Sequence, residues 1–141
     1  MQFTRAEDYG MRGVLYLAER GAGRVTPLSE VSEAESVPEK FLAKIFQSLS
    51  KAGIVRSHRG VRGGFTLWRA PAELTVKEVL EAIQGPYHLM NCLHDPDACS
   101  KSATCALREL LILAEDRLVA TFEEFTVADL LKKGRSRKTS V

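Results

Sequence analysis

The chain has 141 residues, 45% of them apolar and 27% charged, the composition of an ordinary globular protein long enough for one self-supporting domain with an arm. No uncharged apolar run approaches the ~18 residues of a membrane helix, and the charged start Met1-Gln2-Phe3-Thr4-Arg5-Ala6-Glu7-Asp8 is unlike a signal peptide, so a cytoplasmic protein is expected. The net charge of +2 is unevenly spread: residues 1–70 carry +4, residues 71–131 carry −7 and residues 132–141 carry +5, which suits a polyanionic partner for the front half and excludes one for the acidic half.

Residues 5–20 place Tyr9, Gly13, Tyr16 and Leu17 at helical spacing, widened by Val14 and Leu15, and Gly21-Ala22-Gly23 stops that helix. Thr26-Pro27 starts a short helix to about Glu33, since proline fits a first turn. Ser36-Val37-Pro38-Glu39 reads as a capping box for a third helix with Phe41, Leu42, Ile45, Phe46 and Leu49 on its apolar face and Gly53 at its end. Two strand-like runs, Ile54 to His58 and Phe65 to Arg69, flank Arg59-Gly60-Val61-Arg62-Gly63-Gly64 and predict a hairpin with a cationic tip. Thr75-Val76-Lys77-Glu78 is a second capping box, and Gly85-Pro86 closes the helix it opens. A loop over 86–104 follows. Thr104 is expected to cap a long helix, about 105–122, with Leu107, Leu110, Leu111, Ala114 and Leu118 on one side. Thr126-Val127-Ala128-Asp129 starts a last short helix, and the basic tail 132–141 is expected to be disordered.

Helix, short helix, helix and hairpin is the order of a winged helix-turn-helix: a mainly α chain with a small β wing. The third helix would be the reader. Its apolar face is used by the core, which leaves Glu39, Lys40, Ala43, Lys44 and Gln47 facing outward, and side chains on such a helix reach base edges in the major groove of double-stranded DNA. Arg59 and Arg62 sit among glycines at the hairpin tip, where the backbone can approach a phosphate and arginine suits a narrow minor groove. No Ser-His-Asp or phosphate-loop pattern occurs, and the carboxylates are expected on solvated helix faces, so no enzyme is expected.

All three cysteines fall in 14 residues, as Cys92-x6-Cys99-x5-Cys105. The spacing is too wide for the close pairs of a zinc knuckle and unlike the ferredoxin runs. Their neighbours, Asn91, His94, Asp95, Asp97, Lys101 and Ser102, are polar, unlike those of a buried structural cysteine. Cys105 is expected in the first turn of the long helix, where the helix N-terminus favours thiolate. Soft thiolates select zinc, copper(I) or iron–sulfur clusters. A fourth ligand could come from His88, His94, Asp95 or Asp97 nearby, or from Glu7 or Asp8.

The arrangement resembles the Rrf-type winged-helix regulators, the family of the IscR-like and NsrR-like iron–sulfur sensors. The resemblance spans about residues 1–131. It rests on Met1 to Thr4 through Tyr9, on Lys51-Ala52-Gly53-Ile54-Val55, on Ser57-His58-Arg59-Gly60-Val61-Arg62-Gly63-Gly64-Phe65, on Leu74-Thr75-Val76, on the three-cysteine loop and on Thr126-Val127-Ala128-Asp129-Leu130. It implies a homodimeric transcription factor, a repressor on a palindromic operator. Residues 1–85 would be the DNA-binding domain, 86–104 the cluster loop, and 105–131 the dimerisation and closing helices. Tyr9 and the wing residues Ser57, His58, Arg59 and Arg62 would join the reader helix on DNA. Cys92, Cys99 and Cys105 would hold an iron–sulfur cluster that senses nitric oxide, redox or iron status.

The fourth ligand separates the branches. Where the cluster-assembly regulators have a histidine three residues after the last cysteine, this chain has Arg108. Where the nitric-oxide branch uses an acidic residue on the partner's first helix, it has Asp8. The resemblance therefore implies a 4Fe–4S cluster on three cysteines and the partner subunit's Asp8, with a 2Fe–2S cluster using His88 or His94 as the alternative. Ala43 and Lys44 replace an acidic residue and an amide on the reader, so a different operator is implied. A cluster-free or zinc-binding regulator, controlled by thiol chemistry or a protein partner, is the competing expectation.

Overall fold

The computed structural model describes residues 3–139. The first helix, α1 (Arg5–Arg20), opens on a capping box that the sequence reading missed: the Thr4 hydroxyl accepts the Glu7 N–H at 3.2 Å, and the Glu7 carboxylate accepts the Thr4 N–H at 2.6 Å. The helix buries Gly10, Met11, Gly13, Val14 and Leu17. Gly13 allows it to lie close to its neighbour, because a Cβ there would stand 2.5 Å from the ring of Phe46.

The second and third helices are α2 (Leu28–Glu35) and α3 (Glu39–Lys51). The expected Ser36–Glu39 capping box does not form. Ser36 ends α2 in the left-handed region at φ 55°, and Pro38 stands ahead of α3 without a side-chain cap. One residue cannot hold both that conformation and the extended one an N-cap requires. α3 buries Leu42, Ile45, Phe46 and Leu49, as its periodicity predicts, but Phe41 is 41% exposed and stands edge-on to Tyr9 at 5.6 Å.

The wing is an antiparallel hairpin of β1 (Val55–His58) and β2 (Gly64–Leu67), in register from Val55 opposite Leu67 to His58 opposite Gly64. Gly60 turns its tip at φ 110°. Thr26 pairs with the outer edge of β2, its N–H donating to the Phe65 carbonyl at 2.9 Å and its carbonyl accepting the Phe65 N–H at 2.8 Å. Phe65 in turn meets the buried Phe46 edge-on at 5.0 Å. The wing is thus anchored to the same core as α3, and its position is set by packing.

The predicted box at Thr75 opens α4 (Val76–Gln84). Burial draws the Glu78 carboxyl upward, but the Arg69 guanidinium at 2.8 Å and the Thr75 N–H at 2.9 Å outweigh it and hold the group below the usual range. The loop beyond holds three 3₁₀ turns at Asn91–Leu93, Pro96–Ala98 and Ser102–Thr104. Its last turn displaces the start of the long helix: α5 is Arg108–Glu124, begins without a side-chain cap, and leaves Cys105 outside its first turn. Thr104 therefore does not cap it.

The helix start expected at Thr126 is closed by reciprocal contacts with Asp129, and the Thr126 N–H and hydroxyl hold the Asp129 carboxyl below its ordinary range. The helix it opens, α6 (Val127–Thr139), runs through most of the tail expected to be disordered; residues 140–141 lie outside the described residues. The chain returns here to the winged body. Val76 donates to the Phe125 carbonyl at 2.8 Å, Val127 to that of Leu74 at 2.9 Å, and Val127 is fully buried in the core with Val14, Leu42, Phe46 and Val79. Among the described residues, no helix is long and apolar enough to cross a membrane.

Candidate nucleic-acid interface and cysteine cavity

Two separate sites take shape on this frame. The first is basic. Glu39, Lys40, Lys44 and Gln47 are exposed on α3 and Ala43 is half-buried, as expected of the face turned away from the core. Lys40 and Lys44 share a surface concavity of about 310 Å³ with Arg5, Tyr9, Pro38 and Phe41. Arg5 and Phe41 were missed as members of this patch. The signal for Arg5 was its place one turn before Tyr9 on the same helix face. Phe41, 41% exposed, stands edge-on to Tyr9 and lines this concavity with it.

At the wing, Ser57, Arg59 and Arg62 are exposed, with Val61 fully outward between the two arginines. His58 is more constrained: it is half-buried, and its Nε2 hydrogen-bonds the Thr66 hydroxyl across the hairpin at 3.0 Å. At the root of the wing, the Arg56 guanidinium stacks 4.9 Å from the centre of the exposed Trp68 ring.

The second site is the loop between α4 and α5. Cys92, Cys99 and Cys105 are free thiols. They converge on one cavity of about 110 Å³, walled by Met90, Leu93, Leu107 and Leu111 and by Ser102 and Arg108. The 3₁₀ turns bring this about. Each winds the chain into a compact turn, and thiols six and five intervening residues apart line one space. Three soft donors lining one apolar recess fit an iron–sulfur cluster, whose thiolates stand further apart than those of a single ion. Arg108 stands in the wall at the position of the absent histidine and donates to the Leu93 carbonyl at 3.3 Å, placing a positive group beside donors that bind metal as anions.

The suggested fourth ligands fare differently. Glu7 is 2% exposed and spent on the Thr4 box. Asp95 caps its own turn by accepting the Asp97 N–H at 3.1 Å, and Asp97 is exposed. His88 and His94 do not line the cysteine cavity; they stack on each other against Glu115. Asp8 lies on α1, outside the cavity lining, with its carboxylate 42% exposed and paired to Arg12 at 3.0 Å. Glu115 itself corrects the expectation that the carboxylates stand on solvated faces, because it is 6% exposed. Its place in the run Leu110-Leu111-Ile112-Leu113-Ala114-Glu115, one turn from Leu111 and Leu118, was the available signal.

A basic helix face flanked by a wing, on a body that folds around it, defines a winged-helix DNA-binding regulator. The sequence matches, over residues 3–133, the family Rrf2, described as an iron-dependent transcriptional regulator. The chain belongs to the Rrf2 family of transcriptional regulators, which are not enzymes. Its fold is shared with CymR (YrzC), the global cysteine regulator of B. subtilis, at 24% identity and a TM-score of 0.77 over 94% of this chain and 98% of that one. IscR of T. potens matches at 21% identity and a TM-score of 0.77, over 95% and 88%. The oxidized form of CymR from Staphylococcus aureus matches at 21% and 0.75, over 93% and 96%.

Proposed function

We propose that this regulator acts as a homodimeric repressor on a palindromic operator, its affinity for DNA set by an iron–sulfur cluster held by Cys92, Cys99, Cys105 and the partner subunit's Asp8. The observation that carries the reading is the convergence of all three cysteines on one apolar cavity. A cluster bound there supplies iron that is reactive toward nitric oxide and oxidants. A carboxylate as the fourth donor is weak and exchangeable, which suits a site built to react, and 4Fe–4S is the form we assign. Tyr9, Glu39, Lys40, Ala43, Lys44 and Gln47 face the DNA from the body, and Ser57, His58, Arg59 and Arg62 from the wing.

Control follows from the connections of α1. It packs directly on α3 through Gly13 and Phe46. Ligation by the partner subunit's Asp8 would tie α1 of one protomer to the cysteine loop of the other. The two α3 helices are then held at the spacing of half-sites about 34 Å apart, and release of Asp8 lets that spacing drift. Asp8→Ala should give one operator affinity whether the protein is prepared with or without oxygen. If affinity in that variant still follows cluster content, the Asp8 link is wrong. At the wing, Arg59→Ala should weaken binding and reduce the salt slope by about one phosphate contact. An unchanged titration over a range of salt would remove Arg59 from the interface.

The deciding experiment is purification without oxygen, with iron, sulfide and zinc assays and a visible spectrum on one sample. About four irons per chain supports the assignment, and about two supports the 2Fe–2S form. Absence of iron refutes both. A second reading would then hold, in which the cysteines act as thiols or a zinc clip; the exposure of Cys105 at the cavity edge favours it.

A further inference from the structure

We infer that His88, His94 and Glu115 form a second metal site, separate from the cysteine cavity, that takes a single divalent transition-metal ion of borderline softness, zinc first among them. One ligand atom from each residue lies within 4.8 Å of the other two. The carboxylate is already divided between two tasks. Its Oε2 accepts the Leu89 N–H at 2.9 Å, which fixes its orientation, and its Oε1 is left facing both imidazoles. His94 Nε2 hydrogen-bonds this oxygen, and His88 Nδ1 stands 4.0 Å from it. The two rings lie with centroids 3.8 Å apart, and one nitrogen of each stands toward the same carboxylate oxygen.

A buried carboxylate is costly unless a cation meets it. Among the described residues, Glu115 has no lysine or arginine partner, only these two histidines. Two imidazoles, a carboxylate oriented from behind by a backbone N–H and an open fourth position match a three-ligand zinc site. Thiolate is absent, so the site would not compete for the softer cluster. Its position gives it a consequence. An ion there would pin the loop that carries Cys92 and Cys99 to the middle of α5, which forms part of the cysteine cavity's wall through Leu111. The inference does not depend on the cluster assignment.

The test is a chain carrying Cys92→Ser, Cys99→Ser and Cys105→Ser, stripped with chelator and titrated with zinc alone by calorimetry. One zinc per chain is expected, and it should be lost in the same chain with His94→Gln added. Failure of the cysteine-free chain to bind zinc stoichiometrically, or undiminished binding after His94→Gln, overturns the site and leaves a hydrogen-bonded His–Glu pair only. Should the triple variant fail to fold by circular dichroism, cobalt(II) added to the unaltered chain after thiol alkylation decides the matter. Visible bands without thiolate charge transfer support nitrogen and oxygen ligands, and an absence of bands overturns them.

Discussion

Leu110→Glu combined with Leu113→Glu is expected to yield a monomer by sedimentation velocity and to lower affinity for an operator duplex selected in vitro by on the order of 10²-fold or more. Leu110 and Leu113 are 60% and 47% exposed on α5, and Leu107, just ahead of the helix at the edge of the cysteine cavity, is 59% exposed; the opposite side of the helix, through Leu111, Glu115 and Phe122, packs toward α4 and the cysteine loop. Three leucines at a spacing of three residues form a continuous apolar ridge, the kind of surface that a second copy covers. A dimer binds two half-sites at once, so each protomer holds the other at its site. The monomer keeps α3 and the wing but loses that advantage. The substitutions lie outside the core, so the fold should persist, with an unchanged far-ultraviolet spectrum. A variant that remains dimeric would place the interface elsewhere.

Cys99→Ser is expected to abolish iron and sulfide in protein purified without oxygen, and to collapse the difference between its oxygen-exposed and oxygen-free operator affinities. Under the proposed cluster control that difference, in the unaltered protein, would measure the coupling between the two sites, and couplings of this kind run at ~5–150-fold. Cys99 lies between the other two thiols in sequence, follows directly on a 3₁₀ turn and lines the same cavity. Serine keeps the size of the side chain but removes the soft donor, so cavity shape and ligand chemistry are separated. Assays of iron and sulfide, with operator titrations under both atmospheres, check it. Stoichiometric cluster in the variant would exclude Cys99 as a ligand. A lost cluster with an undiminished affinity difference would show that the response to oxygen runs through other groups.

Local chemistry accounts for much of what could be read from the residues alone. The box at Thr75 formed where expected and a helix begins after Thr126 as read, because each start is a contact between a side chain and a backbone three residues away. Leu42, Ile45, Phe46 and Leu49 went to the core because their spacing follows the helical turn. The wing's two strands and its glycine tip followed from a different local signal, two strand-like runs flanking a glycine-rich turn. Where two local signals competed, packing chose between them. Ser36 could cap α3 or close α2, and the tight passage between those helices made it close α2. Phe41 matched the apolar stripe, yet it lies on the edge of the helix that meets Tyr9 at the surface. The start of α5 moved to Arg108 because the last 3₁₀ turn of the loop consumes the residues before it. Three cysteines close in sequence suggest a shared site, but whether thiols so spaced face one space depends on turns that no periodicity announces. The joining of His88 and His94 to Glu115 spans 27 residues and needs the loop folded back on α5. Contacts within a turn of helix are encoded where they occur, whereas contacts between distant segments exist only once the core has fixed the paths of both.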